Sequence, residues 1–156
     1  MNISSLLSKE SVIAQLKSSI KPEVLIELSN KISETYNFIS KEKLLDALIE
    51  REKLCSTAID SGVAIPHCKL EGIPNIIVGL GRSTKGIDFE SLDGKKTHIF
   101  FLLIAPENSV REHIKLLARI SKLCKDNNFR SNLLKLESEN DLYNYILSQE
   151  NKIKDD

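Results

Sequence analysis

Tryptophan is absent from this 156-residue chain, and aromatic residues make up only 5% of it. So few rings argue against a base-stacking platform for single-stranded nucleic acid. An excess of one charge is missing too. Lysine plus arginine number 22, aspartate plus glutamate also 22, and the formal net charge is zero. Nothing in that balance steers the chain toward nucleic acid or an anionic membrane surface. The longest apolar run, Ile99 to Ala105, is far shorter than the ~20 residues of a membrane-spanning helix, so direct membrane insertion is not expected. The N-terminal "MNISSLLSKES" has neither a basic start nor a long apolar stretch and does not read as a signal peptide. Cys55, Cys68 and Cys124 are odd in number and irregularly spaced. That argues against a disulfide framework and for a reducing compartment, so a cytoplasmic location is expected.

What is present reads as one domain with interleaved helices and strands. Ser11 to Leu16 is a short strand candidate. Pro22 suits the first turn of a helix, and Val24, Leu25, Leu28 and Ile32 carry a helical period to about Tyr36. Ser40 can cap a second helix whose stripe is Leu44, Leu45, Leu48 and Ile49, with Arg51 near its end. Residues 54–61 look irregular, and Val63 to Pro66 is a short extended piece. Asn75 to Ser83 reads as a strand with Gly79 weakening its interior, and Asp93-Gly94 signals a turn. Thr97 to Ala105 is apolar on both faces, as a central strand covered on both sides would be.

Pro106 ends that strand. Ser109 and Glu112 then have capping-box spacing before a helix to about Lys125, expected to bury Ile114, Leu117, Ile120 and Leu123 or their neighbours. A short helix over Phe129 to Leu136 follows. A second box, Ser138 with Asp141, opens a last helix carrying Leu142, Tyr145 and Ile146, and the end of the chain, 149–156, reads as a frayed tail. The class is α/β, a sheet with helices on both faces.

Three histidines are available for chemistry. His98, inside the apolar strand, reads as a packed residue with one hydrogen bond. His67 follows Pro66, which donates no hydrogen bond and should end sheet pairing there. A side chain just past a strand end sits where α/β sheets place their ligand crevice. His113 falls in the first or second turn of a helix, where free N–H groups favour an anion. Arg51 offers a planar fork suited to phosphate oxygens. On patterning alone the bland readings stand beside these: a loop histidine, a histidine at the edge of a buried stripe, and a solvated helix-end charge. A metal site from His67, Cys68, His113 and Cys124 has the right ligand types but no common spacing. A thiol nucleophile at Cys68 is disfavoured because neighbouring residues on an extended piece point to opposite sides.

"REKLCSTAIDSGVAIPHCK" (Arg51 to Lys69) resembles the active-site signature of enzyme IIA of the fructose/mannitol type, from the bacterial phosphoenolpyruvate-dependent phosphotransferase system, a group that includes the nitrogen-regulatory IIA proteins. "FFLLIAPENSVREHIKLLARISKL" and "FRSNLLKLESENDLYNYI" resemble that family's later blocks, so the likeness covers roughly residues 3–148 of a single domain spanning 1–156. The resemblance implies a mixed β-sheet of about five strands sandwiched by helices. It places the phosphorylated histidine on His67, the second active-site histidine on His113 and the active-site arginine on Arg51. Ser56 and Thr57 are candidate further phosphate contacts. It implies a phosphohistidine carrier that needs no cofactor and no metal. The carrier would take phosphate from the histidine phosphocarrier HPr or its nitrogen-branch counterpart, with a IIB domain or regulatory target proteins as onward partners. A chain that is a lone IIA unit resembles the nitrogen-regulatory branch, with sugar transport as the alternative and a non-catalytic binding module as a remote one. The sequence departs from the family pattern at Asp60, Ser61 and Cys68; Asp60 brings a negative charge into the signature.

Imidazole suits such a carrier. Its ordinary pKa near 6.5 leaves a neutral nucleophile at cell pH, and a phosphorylated ring is a good leaving group.

Overall fold

The computed structural model describes residues 2–152. In chain order the elements are α1 (Ile3–Leu6), β1 (Leu7–Ile13), α2 (Lys21–Thr35), α3 (Lys41–Leu54), β2 (Val63–Ala64), β3 (His67–Lys69), β4 (Ile77–Ile87), β5 (Thr97–Ala105), α4 (Val110–Cys124), α5 (Asn127–Lys135) and α6 (Glu139–Glu150). The five strands form one mixed sheet in the order β1-β4-β5-β2, with β3 also on β5. The β4–β5 pair is antiparallel, and β1 joins β4 in parallel, as β2 and β3 join β5.

The alternation of β5 divides the core. Ile99, Phe101, Leu103 and Ala105 pack with Ile3, Leu116, Ile120, Phe129, Leu133, Leu142 and Ile146, beneath α1, α4, α5 and α6. Phe100, Leu102 and Ile104 pack with Val24, Leu28, Ile32, Leu44 and Leu48, beneath α2 and α3. Each of the larger side chains among these contributes about 1.5–3 kcal/mol through burial, which is why a strand apolar on both faces ends up central. The glycine expected to weaken β4 serves packing instead. A Cβ on Gly79 would lie 3.2 Å from Ile32 Cδ1, and one on Gly81 would lie 3.1 Å from Leu28 Cδ2. Their bare backbone lets α2 lie close on the sheet.

Several expectations are corrected. The first strand starts at Leu7 rather than Ser11, and a register shift between Leu7 and Val12 breaks the alternation that would have revealed it. Pro66 does not end sheet pairing. It divides the edge strand, its carbonyl accepts from Leu103 N at 3.0 Å, and pairing resumes with His67 opposite Leu103. Ser109 does stand at the N-cap of α4, but at φ −110° and ψ 42° its side chain makes no capping bond, so no capping box forms. The α4 stripe itself falls where expected: Ile120 and Leu123 are buried, and at the first two places the neighbours His113 and Leu116 are buried while Ile114 is 62% exposed. By contrast, Ser40 accepts from Lys43 N, and Ser138 with Asp141 forms a complete capping box.

The frayed end expected from 149 is corrected at its start. α6 continues through Glu150, whose buried carboxylate accepts from Ile3 N, from Ser4 N at 2.8 Å and from Arg119 Nε at 3.2 Å. Residues 153–156 lie outside the described residues.

Candidate functional site

Residues 57–65, expected to be partly irregular, form a small hairpin. Ile59 N donates to Val63 O and Ile65 N to Thr57 O, around a tip where Ser61 and Gly62 hold φ of 58° and 80°. The hairpin delivers the chain to the sheet edge, where His67 stands on β3 between the last turn of α3 and the second turn of α4. Among the described residues, an open pocket of about 530 Å³ there is lined by Ala47, Glu50, Arg51, Leu54, His67, Cys68, Lys69 and His113.

Both ring nitrogens of His67 are held. Nδ1 lies 2.7 Å from Ile65 O, and Nε2 accepts from Arg51 Nε at 3.3 Å. A carbonyl can only accept and a guanidinium can only donate. The proton therefore sits on Nδ1, and Nε2 carries the lone pair. Burial holds the His67 pKa below its ordinary value, and the Arg51 cation adds to this, against opposing effects of the Ile65 bond and of Glu52. The ring is neutral at neutral pH.

His113 meets His67 edge to face, with centroids 5.3 Å apart and planes at 83°. It is 7% exposed and its Nε2 has no hydrogen-bond partner. Burial pushes its pKa down to about 4, helped by His67 and Lys69. An unpaired buried polar atom costs about 1–3 kcal/mol, so this one stands ready for a group arriving in the pocket. Arg51 is anchored from behind, its Nη1 donating to Cys55 O at 2.9 Å.

The other expectations divide. Ser56 Oγ donates to Phe89 O at 2.6 Å, and the Thr57 hydroxyl donates to the buried Glu52 carboxylate. Both hydroxyls are engaged in these bonds, and neither residue lines the pocket. His98 is a packed strand residue, with Nδ1 2.9 Å from Ser83 O. Cys68 turns into the α2–α3 core, and burial pushes its thiol up to about 12, far from a nucleophile. Among the described residues no three or more His, Cys, Asp or Glu side chains converge as a metal site. Asp60 is exposed at the hairpin tip. The next residues of that tip bond His98 while His67 lies opposite Leu103, and five strand residues span about 16 Å, so its charge stands well away from the pocket.

Sequence reasoning missed Lys69 and Glu52. Lys69 shares the side of β3 with His67, a relationship the two-residue period of a strand makes legible once the strand is known. Glu52 is buried and paired to Lys21 Nζ at 3.0 Å; a charged helix-end residue gives no signal of that.

Comparison with known proteins gives this geometry its context. The family described as phosphoenolpyruvate-dependent sugar phosphotransferase system, EIIA 2, matches residues 5–149. A nitrogen regulatory protein of Bradyrhizobium diazoefficiens is 38% identical over 133 residues, covering 85% of this chain and 86% of that protein. The PTS system fructose-specific EIIABC component of Bacillus subtilis is 33% identical over 97% of this chain, which spans only 24% of that longer protein. Among solved structures, nitrogen regulatory protein IIA-Ntr from Neisseria meningitidis superposes with a TM-score of 0.85 at 25% identity, covering 92% of this chain and 98% of that one. Mannitol IIA from Escherichia coli, at 18% identity and a TM-score of 0.75, shares the fold. No helix among the described residues is long and apolar enough to cross a membrane. The chain belongs to the EIIA type 2 family of the phosphotransferase system, whose members are phosphohistidine carriers.

Proposed function

We propose that this chain accepts a phosphoryl group on Nε2 of His67 and passes it on, with Arg51 and His113 stabilising the transferring group. The observation that carries this is the pair of bonds on the ring: Ile65 O holds the proton on Nδ1, and the Nε2 lone pair faces Arg51 beside the pocket.

The chemistry balances without moving a proton. The Nε2 lone pair forms the N–P bond while the donor's own N–P bond breaks and returns a lone pair to the donor ring. Nδ1 keeps its proton on Ile65 O, so the phosphorylated ring is formally cationic and leaves later as a neutral imidazole. Transfer of this kind depends on positioning and on spreading charge over the equatorial oxygens. Once Nε2 is bonded to phosphorus it no longer accepts from Arg51, and the guanidinium turns to the phosphoryl oxygens. His113, neutral and with an unpartnered Nε2, supplies an N–H to another.

The donor in this reading is HPr or a nitrogen-branch counterpart, since the family works with HPr and IIB domains. We assign the chain a regulatory role, supported by the 38% identity to a nitrogen regulatory protein. The Bacillus relative supports a transport role as the second reading. A phosphoryl group adds nearly two negative charges at neutral pH, enough to make or break an interface around His67.

The test is intact mass after incubation with phosphoenolpyruvate, enzyme I and HPr, with wild type beside His67→Ala. One acid-labile phosphoryl group on wild type and none on the variant is the expected result; equal uptake by both removes His67 from the role. Transfer onward to a IIB domain coupled to sugar uptake would favour transport over regulation.

A further inference from the structure

Two arms leave a single turn of α3 and end on the two nitrogens of His67. One is Arg51, which donates to Nε2. The other starts at its neighbour Glu52. The Glu52 carboxylate accepts from Thr57 N at 3.1 Å and from the Thr57 hydroxyl. Thr57 O accepts from Ile65 N at 3.0 Å, and Ile65 O takes the Nδ1 proton of His67. We propose that Glu52 is a positioning residue for phosphoryl transfer: through Thr57 and Ile65 it fixes the carbonyl that selects the reactive His67 tautomer. The proposal rests on the phosphocarrier reading of His67.

The energetics of burial support it. A carboxylate with 5% side-chain exposure must be paired to stay charged. Glu52 is paired by Lys21 Nζ at 3.0 Å, which itself lies 4.7 Å over the Phe89 ring and 3.2 Å from Glu90. Ser56 Oγ ties the same loop to Phe89 O. The segment between α3 and the hairpin is thus clamped at both Ser56 and Thr57, and the Cys55 carbonyl within it anchors Arg51. A tautomer is selected by the partner of the other nitrogen, so a loosened Ile65 carbonyl leaves the 3.3 Å Arg51 bond alone to hold the proton off Nε2, and the lone pair there is only partly kept. The role is mechanical and lies one step back from the reacting atoms.

The experiment reads two quantities in full-length variants: the His67 tautomer from imidazole ¹⁵N shifts of the unphosphorylated protein, and the rate of phosphoryl acceptance from phosphorylated HPr. Thr57→Val keeps the volume and removes the hydroxyl. It should give a mixed tautomer and acceptance slowed about tenfold. Thr57→Ser should restore both. Leu133→Ala, in the opposite core, is the stability control and should lower the melting temperature without moving the tautomer. Glu52→Met keeps most of the volume, removes both acceptor oxygens and should behave as Thr57→Val does. A wild-type tautomer and rate in Thr57→Val and Glu52→Met would overturn the proposal, and so would an equal tautomer shift in Leu133→Ala. Should the wild type itself take up no phosphate, the carrier reading fails and the transfer role with it, while the tautomer measurement separately decides whether Glu52 fixes the His67 ring.

Discussion

Arg51 Nε lies 3.3 Å from Nε2 of His67, so the cation and the nucleophile share one hydrogen bond before any phosphate is present. That bond holds the ring in place and must be given up on phosphorylation. The planar fork can keep Nη1 on Cys55 O at 2.9 Å while its other donors turn to phosphoryl oxygens.

Arg51→Lys tests this geometry. Lysine keeps the charge but has no second anchored donor. Acceptance should slow about tenfold or more, the loss of one charge-assisted hydrogen bond of about 1.5–3 kcal/mol. Rapid-quench kinetics with phosphorylated HPr measures it; a wild-type rate would show that charge alone suffices.

His113→Ala should leave phosphate on His67 but slow both acceptance and onward transfer, by about a hundredfold for the loss of one preorganised donor. Single-turnover transfer in both directions reads this. Unchanged rates in both would place His113 outside the site.

The pH dependence of stability has a definite sign. His113 falls from the ordinary 6.5 to about 4 in the folded chain, so unfolding takes up a proton between those values. Stability is at its full value above about 6.5 and declines as the pH drops toward about 4, and the lowered His67 acts in the same direction. Urea midpoints measured from pH 7.5 down, beside His113→Gln, should show a flatter decline in the variant.

Arg82→Met should cost about 2–4 kcal/mol, because the buried guanidinium bonds Ala14 O and Leu133 O, each at 2.8 Å, and also Leu136 O. These carbonyls lose their partner together. Urea denaturation measures the loss, and phosphate uptake under folding conditions should stay at the wild-type level.

Much of this was legible in the sequence, for physical reasons. A strand apolar on both faces had to be central, and β5 is. Ser138 and Asp141 capped a helix because only the helix itself was needed to bring them together. His67, His113 and Arg51 are candidates from patterning to which the resemblance gives roles, and the fold brings them to one pocket. What was hidden depended on tertiary partners. The stripe of α4 is turned so that His113 and Leu116 face inward and Ile114 outward, a choice that periodicity alone leaves open between neighbouring residues. Ser56 and Thr57 carried hydroxyls at a suggestive place, but Phe89 O and the buried Glu52 claim them. Pro66 looked like a strand end because the missing N–H is visible in sequence, whereas the renewed pairing with Leu103 is not.

The most direct test of the central claim is NMR of the ¹⁵N-labelled, phosphorylated chain, with the phosphorus–nitrogen coupling assigned to a single ring nitrogen. The account predicts phosphorus on Nε2 of His67, with Nδ1 still protonated and bonded to Ile65 O. Phosphorus on Nδ1 of His67, or on either other histidine, would contradict it.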